Sequence, residues 1–457
     1  MTISLFSPAQ RYFWLLLFHA LLGWGSVYWP FLTTIWGFLA AIVGLVWIVT
    51  QKNDHHQVII AGAYLTGSEV FLRMTGFPSH EFVKYVVIIY FVFGLFYNGF
   101  SKNALIYGVY LLLLVPGIIW ATQVLDLTLN VRKSILFNMT GPVGLGVIAW
   151  YCYQKTISWA RFQQVLMALS IPMVACLVYV AIYSPTVQEV VTGTNSNNML
   201  SGGYGPNQVA TLMGLTAFCF FAQWLLYSSN RWLWLINGGL FCYTIYRGLI
   251  TFSRGGIYTA LIVIAVLLVV TYRYLPTTKR FVLAFFAGLV GFCALAVWSY
   301  SSLQTAGMLD KRYANQDSLG REKSDLTTGR WELASEEINL FLENPFLGVG
   351  AAKGTQLRSE RMGLQETVAS HNECTRLLAE HGLFGLIDLV ILLVIPMLVQ
   401  RRNPANLFRW SCFLFWLLSV NHSAMRTFSP AFMYGLSVLI LPIPTKNSDT
   451  KVDPLTS

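Results

Sequence analysis

The chain contains 457 residues, of which 55% are hydrophobic and only 11% are charged, whereas an ordinary soluble domain has roughly 25% charged residues. This composition excludes an ordinary soluble fold and predicts an all-α bundle of helices that cross a membrane many times. The net charge is +10, yet residues 301–375 carry 11 acidic and 8 basic residues, so the positive excess lies elsewhere in the chain. Such an excess favours contact with anionic membrane lipids and does not indicate nucleic acid.

Fourteen apolar runs separated by polar breaks predict membrane-crossing helices, and twelve is the alternative count because two runs are weak. One weak run carries Glu69 and Arg73, which are four residues apart and can pair on one face of a helix. The other is interrupted by residues 140–142. The runs lie at residues 12–28, 31–50, 57–73, 84–99, 104–122, 136–153, 165–183, 208–227, 232–250, 252–272, 280–300, 376–399, 406–421 and 427–443.

Basic residues in the short loops predict the orientation of the chain in the membrane. If residues 301–375 lie outside, 14 basic residues fall inside and 8 fall outside once that long segment is set aside, in agreement with the positive-inside rule. We therefore expect the long segment to be periplasmic or extracellular and both termini to be cytoplasmic. The predicted segments are transmembrane helices at 1–200, transmembrane helices with an outward turn at 201–300, a partly helical outer loop at 301–375, transmembrane helices at 376–443 and a disordered cytoplasmic tail at 444–457.

Two outward turns carry more polarity than a connector needs. Between Ser201 and Asn207, three glycines and a proline permit a tight turn whose N–H groups can face a ligand, and a simple helix cap is the alternative. The second turn contains Arg247 and Arg254, which interrupt a long apolar stretch. An arginine at membrane depth costs at least a few kcal/mol unless it pairs, snorkels to the membrane surface or binds an anion. Arg254 falls at a predicted helix start, where a guanidinium and the helix dipole both favour phosphate.

The long outer segment contains a predicted amphipathic helix. From Gly329 to Glu343, apolar residues recur at positions 331, 334, 338 and 341, and this spacing predicts one apolar helix face. Arg330 falls in the first turn, where the helix dipole disfavours a cation unless an anion binds nearby. A salt bridge to a neighbouring glutamate is the alternative.

A histidine follows at the start of the next apolar helix. Ser370 and Glu373 match a capping box, which makes Ser370 the N-cap and His371 the first helical residue. A helix N-terminus favours the neutral imidazole, which can accept a proton. A structural histidine at a helix start is the alternative.

The outer loops show no pattern of metal ligands. They contain no Asp-x-Asp motif and no cluster of histidines and carboxylates with ligand spacing. The seven cysteines form no disulfide framework. We therefore predict neither a metal nor another cofactor.

Taken in chain order, these pieces resemble the O-antigen ligase and polymerase superfamily. The order of the motifs, their spacing and the long outer loop before the histidine all agree with that family. The resemblance covers about residues 200–390. The motifs are Tyr-Gly-Pro-Asn at 204–207, Thr-Phe-Ser-Arg-Gly-Gly at 251–256, Gly-Arg-Trp at 329–331, Asn-Pro-Phe-Leu-Gly-Val-Gly at 344–350, Ser-His-Asn-Glu at 370–373 and Leu-Leu-Ala-Glu-His-Gly at 377–382.

The resemblance implies a multi-span glycosyltransferase of the bacterial inner membrane whose active site faces the periplasm. In that family, outward arginines hold the diphosphate of an undecaprenyl-linked glycan, and a loop histidine activates or positions the acceptor without a metal. The implied partners are the undecaprenyl-diphosphate-linked glycan, the lipid A-core acceptor and membrane lipids. The residues implied are Arg254 and Arg330 for the diphosphate, His371 for catalysis, and Tyr204, Asn207 and Asn372 for the substrate. Arg247, Arg426 and His422 lie outside the matched motifs, and of these only Arg247 is kept as a candidate for the diphosphate.

Two other functions compete with ligation of O-antigen to lipid A-core. The motifs fit a polymerase of repeat units as well, although they favour the ligase. A flippase or transporter would need charged residues near the membrane midplane, for which Glu69, Arg73 and Asp388 are the candidates. Most of the unexplained charge lies at the outer surface, which favours chemistry there over passage through the membrane. The outward arginines also argue against a purely structural scaffold.

Overall fold

The computed structural model describes residues 8–126, 130–325, 327, 329–363, 368–402 and 406–442. These residues form helices and loops with two isolated β-bridges and no strand, so the predicted all-α class is confirmed. The predicted tail at 444–457 lies outside the described residues. The helices are α1 (Pro8–Tyr28), α2 (Phe31–Thr50), α3 (Gln57–Met74), α4 (Phe82–Asn98), α5 (Leu105–Leu113), α6 (Val115–Val124), α7 (Val131–Cys152), α8 (Trp159–Tyr183), α9 (Val187–Val190), α10 (Pro206–Leu226), α11 (Arg231–Leu249), α12 (Arg254–Tyr274), α13 (Thr277–Gln304), α14 (Met308–Tyr313), α15 (Arg330–Glu343), α16 (Lys353–Arg361), α17 (Glu373–Arg402), α18 (Arg409–Ser423) and α19 (Ser429–Ser437).

All fourteen predicted apolar runs coincide with helices, but fewer of these helices are long and apolar enough to cross a membrane. Within the described residues, eight segments meet both conditions. They are Phe31–Thr50, Lys102–Val124, Val131–Cys152, Trp159–Tyr183, Pro206–Leu226, Arg254–Tyr274, Thr277–Gln304 and Glu373–Val399. The remaining runs form helices that are shorter or more polar, such as Phe82–Asn98 with 17 residues.

The two weak runs behave differently in the structure. The run with Glu69 and Arg73 forms α3, and the predicted pairing is confirmed because Glu69 Oε1 lies 2.7 Å from Arg73 Nη2 with both side chains buried. The run that is interrupted by residues 140–142 forms α7, which continues through Pro142 and, unlike α3, is among the segments long and apolar enough to cross a membrane. Pro142 has no N–H to donate to the carbonyl oxygen of Asn138, four residues earlier. Arg376 Nη2 donates to that oxygen at 3.2 Å instead, so a neighbouring helix satisfies the freed carbonyl.

Contacts divide the described chain into two compact units, each assembled from segments distant in sequence. Unit 1 contains the residues up to 80, residues 157–323 and Pro442, and unit 2 contains residues 81–156 and 324–441. Unit 1 therefore holds α1–α3 and α8–α14, whereas unit 2 holds α4–α7 and α15–α19. Among the predicted site residues, unit 1 contains Tyr204, Asn207, Arg247 and Arg254, and unit 2 contains Arg330, His371 and Asn372.

Helix α15 is amphipathic as predicted, but its buried face is not the one expected. Leu333, Ala334, Glu337 and Leu340 are buried, whereas Trp331 is 65% exposed and position 338 is exposed as well. Position 334 of the predicted apolar face is buried within the protein, and the exposed positions 331 and 338 still form an apolar surface on the helix. The buried face includes Glu337, a charged residue that turns inward to meet an arginine of α16.

Helix α17 is broken at Gly382, where the backbone has φ 59° and ψ −133°. The loop between α15 and α16 docks against this break through backbone hydrogen bonds, which include Val349 N–H to Ala379 O at 2.8 Å, Gly350 N–H to Glu380 O at 3.1 Å, and Leu383 N–H to Pro345 O at 2.7 Å. A Cβ atom at Gly348 would lie 2.5 Å from the Glu380 carbonyl carbon. Gly348 of the Gly-Val-Gly motif is thus required for the loop backbone to approach the backbone of α17 so closely.

This docking generates a stability prediction. We expect Gly348→Ala to destabilise the protein by about 1–3 kcal/mol, the usual cost of overpacking, in addition to the strain of its positive φ of 68°. Gly320→Ala is the matched control, because Gly320 also has a positive φ of 83° but no atom within 4 Å of its Cβ position. Thermal unfolding in detergent measures both variants, and equal losses would show that backbone strain alone, without the close contact, sets the cost.

Candidate active site

His371 in unit 2 lies in a loop that precedes α17 and is half-buried. Its pKa is lowered from 6.5 to about 3, mainly by burial and then by the positive charges of Arg426, Arg330 and Arg358. The imidazole is therefore neutral near pH 7 and able to accept a proton. The structure thus brings Arg330 and His371, both predicted site residues, close enough for the charge of Arg330 to disfavour protonation of the imidazole.

The predicted capping box is wrong, and the helix starts two residues later than expected. The Asn372 side chain is the N-cap of α17, because its Oδ1 accepts hydrogen bonds from the N–H groups of Cys374 at 2.9 Å and Thr375 at 3.3 Å. Ser370 Oγ instead accepts from Asn372 N–H at 3.1 Å. His371 is consequently outside the helix, and its neutral form comes from burial and nearby arginines rather than from the helix dipole.

Two guanidinium groups and one backbone group hold the segment that carries His371. Arg358 Nη2 donates to Val368 O at 2.5 Å, and Arg426 Nη2 donates to the carbonyl oxygens of residues 369 and 370 at 2.8 and 3.0 Å. Ala424 N–H donates to His371 O at 3.1 Å. Arg426 was set aside from the sequence because it lies outside the matched motifs, yet it contacts the histidine segment directly.

A buried charge cluster at the start of α17 was missed by the sequence reasoning. Arg376 Nη1 lies 2.5 Å from Glu380 Oε2, its Nε donates to Glu373 Oε2 at 3.1 Å, and its Nη2 donates to Asn138 O at 3.2 Å. The three-residue and four-residue spacings of these charges were a readable signal for ion pairs on a helix. The cluster borders a cavity beside the histidine segment, lined by Phe137, Asn138, Ala369, Ser370, Glu373, Arg376, Ala424, Met425 and Arg426.

In unit 1, Arg254 is the first residue of α12, as the sequence predicted. The preceding Ser253 donates its hydroxyl to Asn207 Oδ1 at 2.8 Å, which joins two of the motifs. Arg254 Nη1 approaches Arg312 O at 3.4 Å, and Arg312 Nε donates to the carbonyl oxygen of Phe252 at 3.0 Å. Tyr204 lies half-buried in the turn before α10.

Lys323 is a third cation close to Arg254 and Arg312. Neither Lys323 nor Arg312 was a predicted site residue. Lys323 Nζ donates to Asn195 Oδ1 at 3.3 Å. Burial lowers the pKa of Lys323, and the charges of Arg312 and Arg254 lower it further, while Asp317 acts in the opposite direction. Three cations close enough to repel one another favour the binding of an anion. The sequence alone did not reveal this group of three cations, because Lys323 and Arg254 lie in segments that are far apart in the chain.

Arg247 has a different environment from Arg254. It is buried in unit 1, and its Nη2 donates to Val180 O at 3.1 Å and to Leu200 O at 3.3 Å. These bonds join the end of α8 to the turn before α10. Contact with a diphosphate remains a prediction for Arg247.

In the part of the chain that the structure describes, no three histidine, cysteine or acidic side chains are grouped so that they could hold a metal ion. The groups near the predicted site residues include several arginines, Lys323 and a neutral histidine. These groups suit stabilisation of an anionic leaving group together with proton transfer.

The helices that are long and apolar enough to cross a membrane are those of a multi-pass membrane protein. Residues 239–390 match the family model described as O-antigen ligase. For that part of the chain, the match confirms the resemblance to the O-antigen ligase superfamily drawn from the motifs. The matched residues include Arg247, Arg254, Arg330, His371 and Asn372, whereas Tyr204, Asn207 and Arg426 lie outside them. Neither the curated proteins nor the solved structures gave a match.

The low pKa of His371 predicts that its reactivity toward diethyl pyrocarbonate, which attacks the neutral imidazole, is constant between pH 7 and pH 5. A histidine with an ordinary pKa of about 6.5 becomes mostly protonated over this range and loses most of its reactivity. Mass spectrometry of the peptide that contains His371 measures the rate, with a histidine-containing model peptide as the control. A rate that falls in parallel with the control would contradict a pKa of about 3.

Proposed function

We propose that this protein transfers O-antigen polysaccharide from undecaprenyl diphosphate to lipid A-core at the periplasmic face of the bacterial inner membrane. The observation that carries this proposal is the O-antigen ligase match over residues 239–390, which contains both candidate clamp arginines and the neutral histidine. The helices long enough to cross a membrane suit two lipid-linked substrates that approach laterally.

In the proposed reaction, an acceptor hydroxyl attacks the anomeric carbon of the donor glycan. The bond between that carbon and the diphosphate oxygen breaks, and undecaprenyl diphosphate leaves with the bonding electrons. Arg254 and Arg330 bind the diphosphate and stabilise its growing negative charge. Arg312 and Lys323 add positive charge beside Arg254. The guanidinium and ammonium groups supply this charge without a metal.

His371 receives the proton of the acceptor hydroxyl or positions that hydroxyl for attack. Its neutral form near pH 7 fits the role of a base. We further propose that Tyr204, Asn207 and Asn372 contact the substrates. The Asn372 Oδ1 atom caps α17, so its amide N–H₂ group is the part that would donate to a sugar.

The arginines are expected to act as bidentate phosphate ligands and not only as positive charges. Arg254→Lys and Arg330→Lys keep the charge but lose the planar fork, so we expect each to reduce transfer by about 10-fold or more. Arg321→Lys is the control, since the Arg321 side chain is 74% exposed and pairs with Asp317. Transfer and membrane insertion are measured for all three variants, and full activity of both clamp variants would leave the arginines only a general electrostatic role.

His371→Ala is expected to lower transfer by about 10²–10⁴-fold, the usual contribution of a general base, while binding of undecaprenyl diphosphate stays near wild type. Ser370→Ala, which removes a turn hydrogen bond, should cost much less. The assay uses purified protein in nanodiscs with a carrier-linked polymer as donor.

The same assay supplies lipid A-core and a carrier-linked repeat unit as competing acceptors. Product on lipid A-core supports the ligase. Product on the repeat unit would identify a polymerase, and undiminished transfer by His371→Ala would remove this histidine from the mechanism.

A further inference from the structure

A buried ion pair connects the three helices that surround the histidine segment. Arg358 of α16 pairs through Nη1 with Glu337 of α15, and both side chains are only 1% exposed. The other carboxylate oxygen of Glu337 accepts a hydrogen bond from Thr375 Oγ1 of α17 at 2.5 Å. Glu337 is thus bonded to both neighbouring helices.

The pair of Glu337 and Arg358 links the helix of Arg330 to the loop of His371, the two residues that the proposed reaction needs. Glu337 is seven residues after Arg330 on α15, and this separation of about two turns places both on one side of the helix. Arg358 also donates through Nη2 to the carbonyl oxygen of Val368, three residues before His371. A short chain of contacts therefore runs from the helix of Arg330 through Glu337 and Arg358 to the loop of His371.

Stability alone does not account for burying these charges. Replacing a buried ion pair by well-packed apolar residues is often neutral or stabilising, because removing two charges from water offsets their attraction. Helices α15 and α16 are also joined by a separate, more exposed pair, in which Arg361 Nη2 lies 2.6 Å from Glu343 Oε2. The buried pair instead fixes geometry, because the planar guanidinium and carboxylate groups set the angle and distance of the groups that they bond.

We propose that Glu337 and Arg358 are positioning residues that set the distance and orientation of His371 relative to Arg330. The proposal rests on the proposed transfer reaction. Glu337 and Arg358 do not touch the reacting atoms in this scheme. They hold His371 where the acceptor hydroxyl that it serves can attack a donor bound by Arg330. Outer-shell partners hold catalytic groups in the same way in other enzymes.

The test is the double variant Glu337→Leu/Arg358→Met, which replaces the ion pair by apolar residues of similar size. We expect its thermal unfolding midpoint and its affinity for undecaprenyl diphosphate to stay near wild type. The turnover number for transfer to lipid A-core should fall by about 10–100-fold, the usual effect of losing an outer-shell partner. A purely structural pair would instead change stability, donor binding and transfer together, and that outcome would overturn the proposal.

The matched control is Glu343→Leu/Arg361→Met, which makes the same chemical change in an exposed pair between the same two helices and also removes the contact of Arg361 with Glu336. Transfer by this control should remain within about two-fold of wild type, in keeping with the small contribution of an exposed ion pair. A loss of turnover in the control as large as that of the buried variant would also overturn the proposal.

If the double variant does not fold, the single variant Arg358→Lys tests whether the pair positions His371. Lysine keeps a charge beside Glu337 but cannot reach both Glu337 and the Val368 carbonyl with one planar group. Reduced turnover with unchanged donor affinity and melting supports positioning, and wild-type turnover contradicts it. Failure of the wild-type protein itself to transfer the glycan would instead contradict the proposed function, so the two failures are distinguishable.

Discussion

The architecture of unit 2 around His371 depends on the break in α17 at Gly382. A broken helix leaves backbone N–H and C=O groups without their helical partners, and such groups are costly in apolar surroundings unless they are satisfied. The loop at residues 345–350 satisfies them by bonding across the break. Because α15 ends at Glu343 and α16 begins at Lys353, this docked loop fixes where both helices meet α17. The positions of Arg330 and Arg358 follow from that junction.

Arginine has two distinct uses in this protein. Arg358, Arg376 and Arg247 are buried, and each donates to backbone carbonyl oxygens, so their charge is used to hold chain segments together. Arg254 and Arg330 are the first residues of two helices, and they are the arginines that we propose to bind the diphosphate. Both uses suit the guanidinium group, which keeps its charge in apolar surroundings and offers five donors.

The sequence predicted those parts of the structure that depend on local patterns. Apolar runs located the helices, and the Ser-Arg-Gly-Gly turn and the Gly-Arg-Trp motif located the starts of α12 and α15 correctly. The capping box failed because Asn372 can cap a helix as well as Ser370 can, and propensity alone does not rank the two. The buried face of α15 could not be read from the apolar pattern, because Glu337 finds its partner on another helix. Arg312 and Lys323 were missed for a similar reason, since only the fold brings them near Arg254.

The arginines around His371 couple two binding events. Positive charge that opposes a proton on the imidazole is offset when an anion binds beside it, so an anion bound there raises the proton affinity of His371. By thermodynamic linkage, the protonated imidazole must retain that anion more tightly, and by the same factor. In the proposed reaction the proton arrives from the acceptor at the moment when the diphosphate gains its charge. Departure of the carrier and return of the histidine to its neutral state are then linked steps, and carrier release becomes sensitive to how readily that proton escapes.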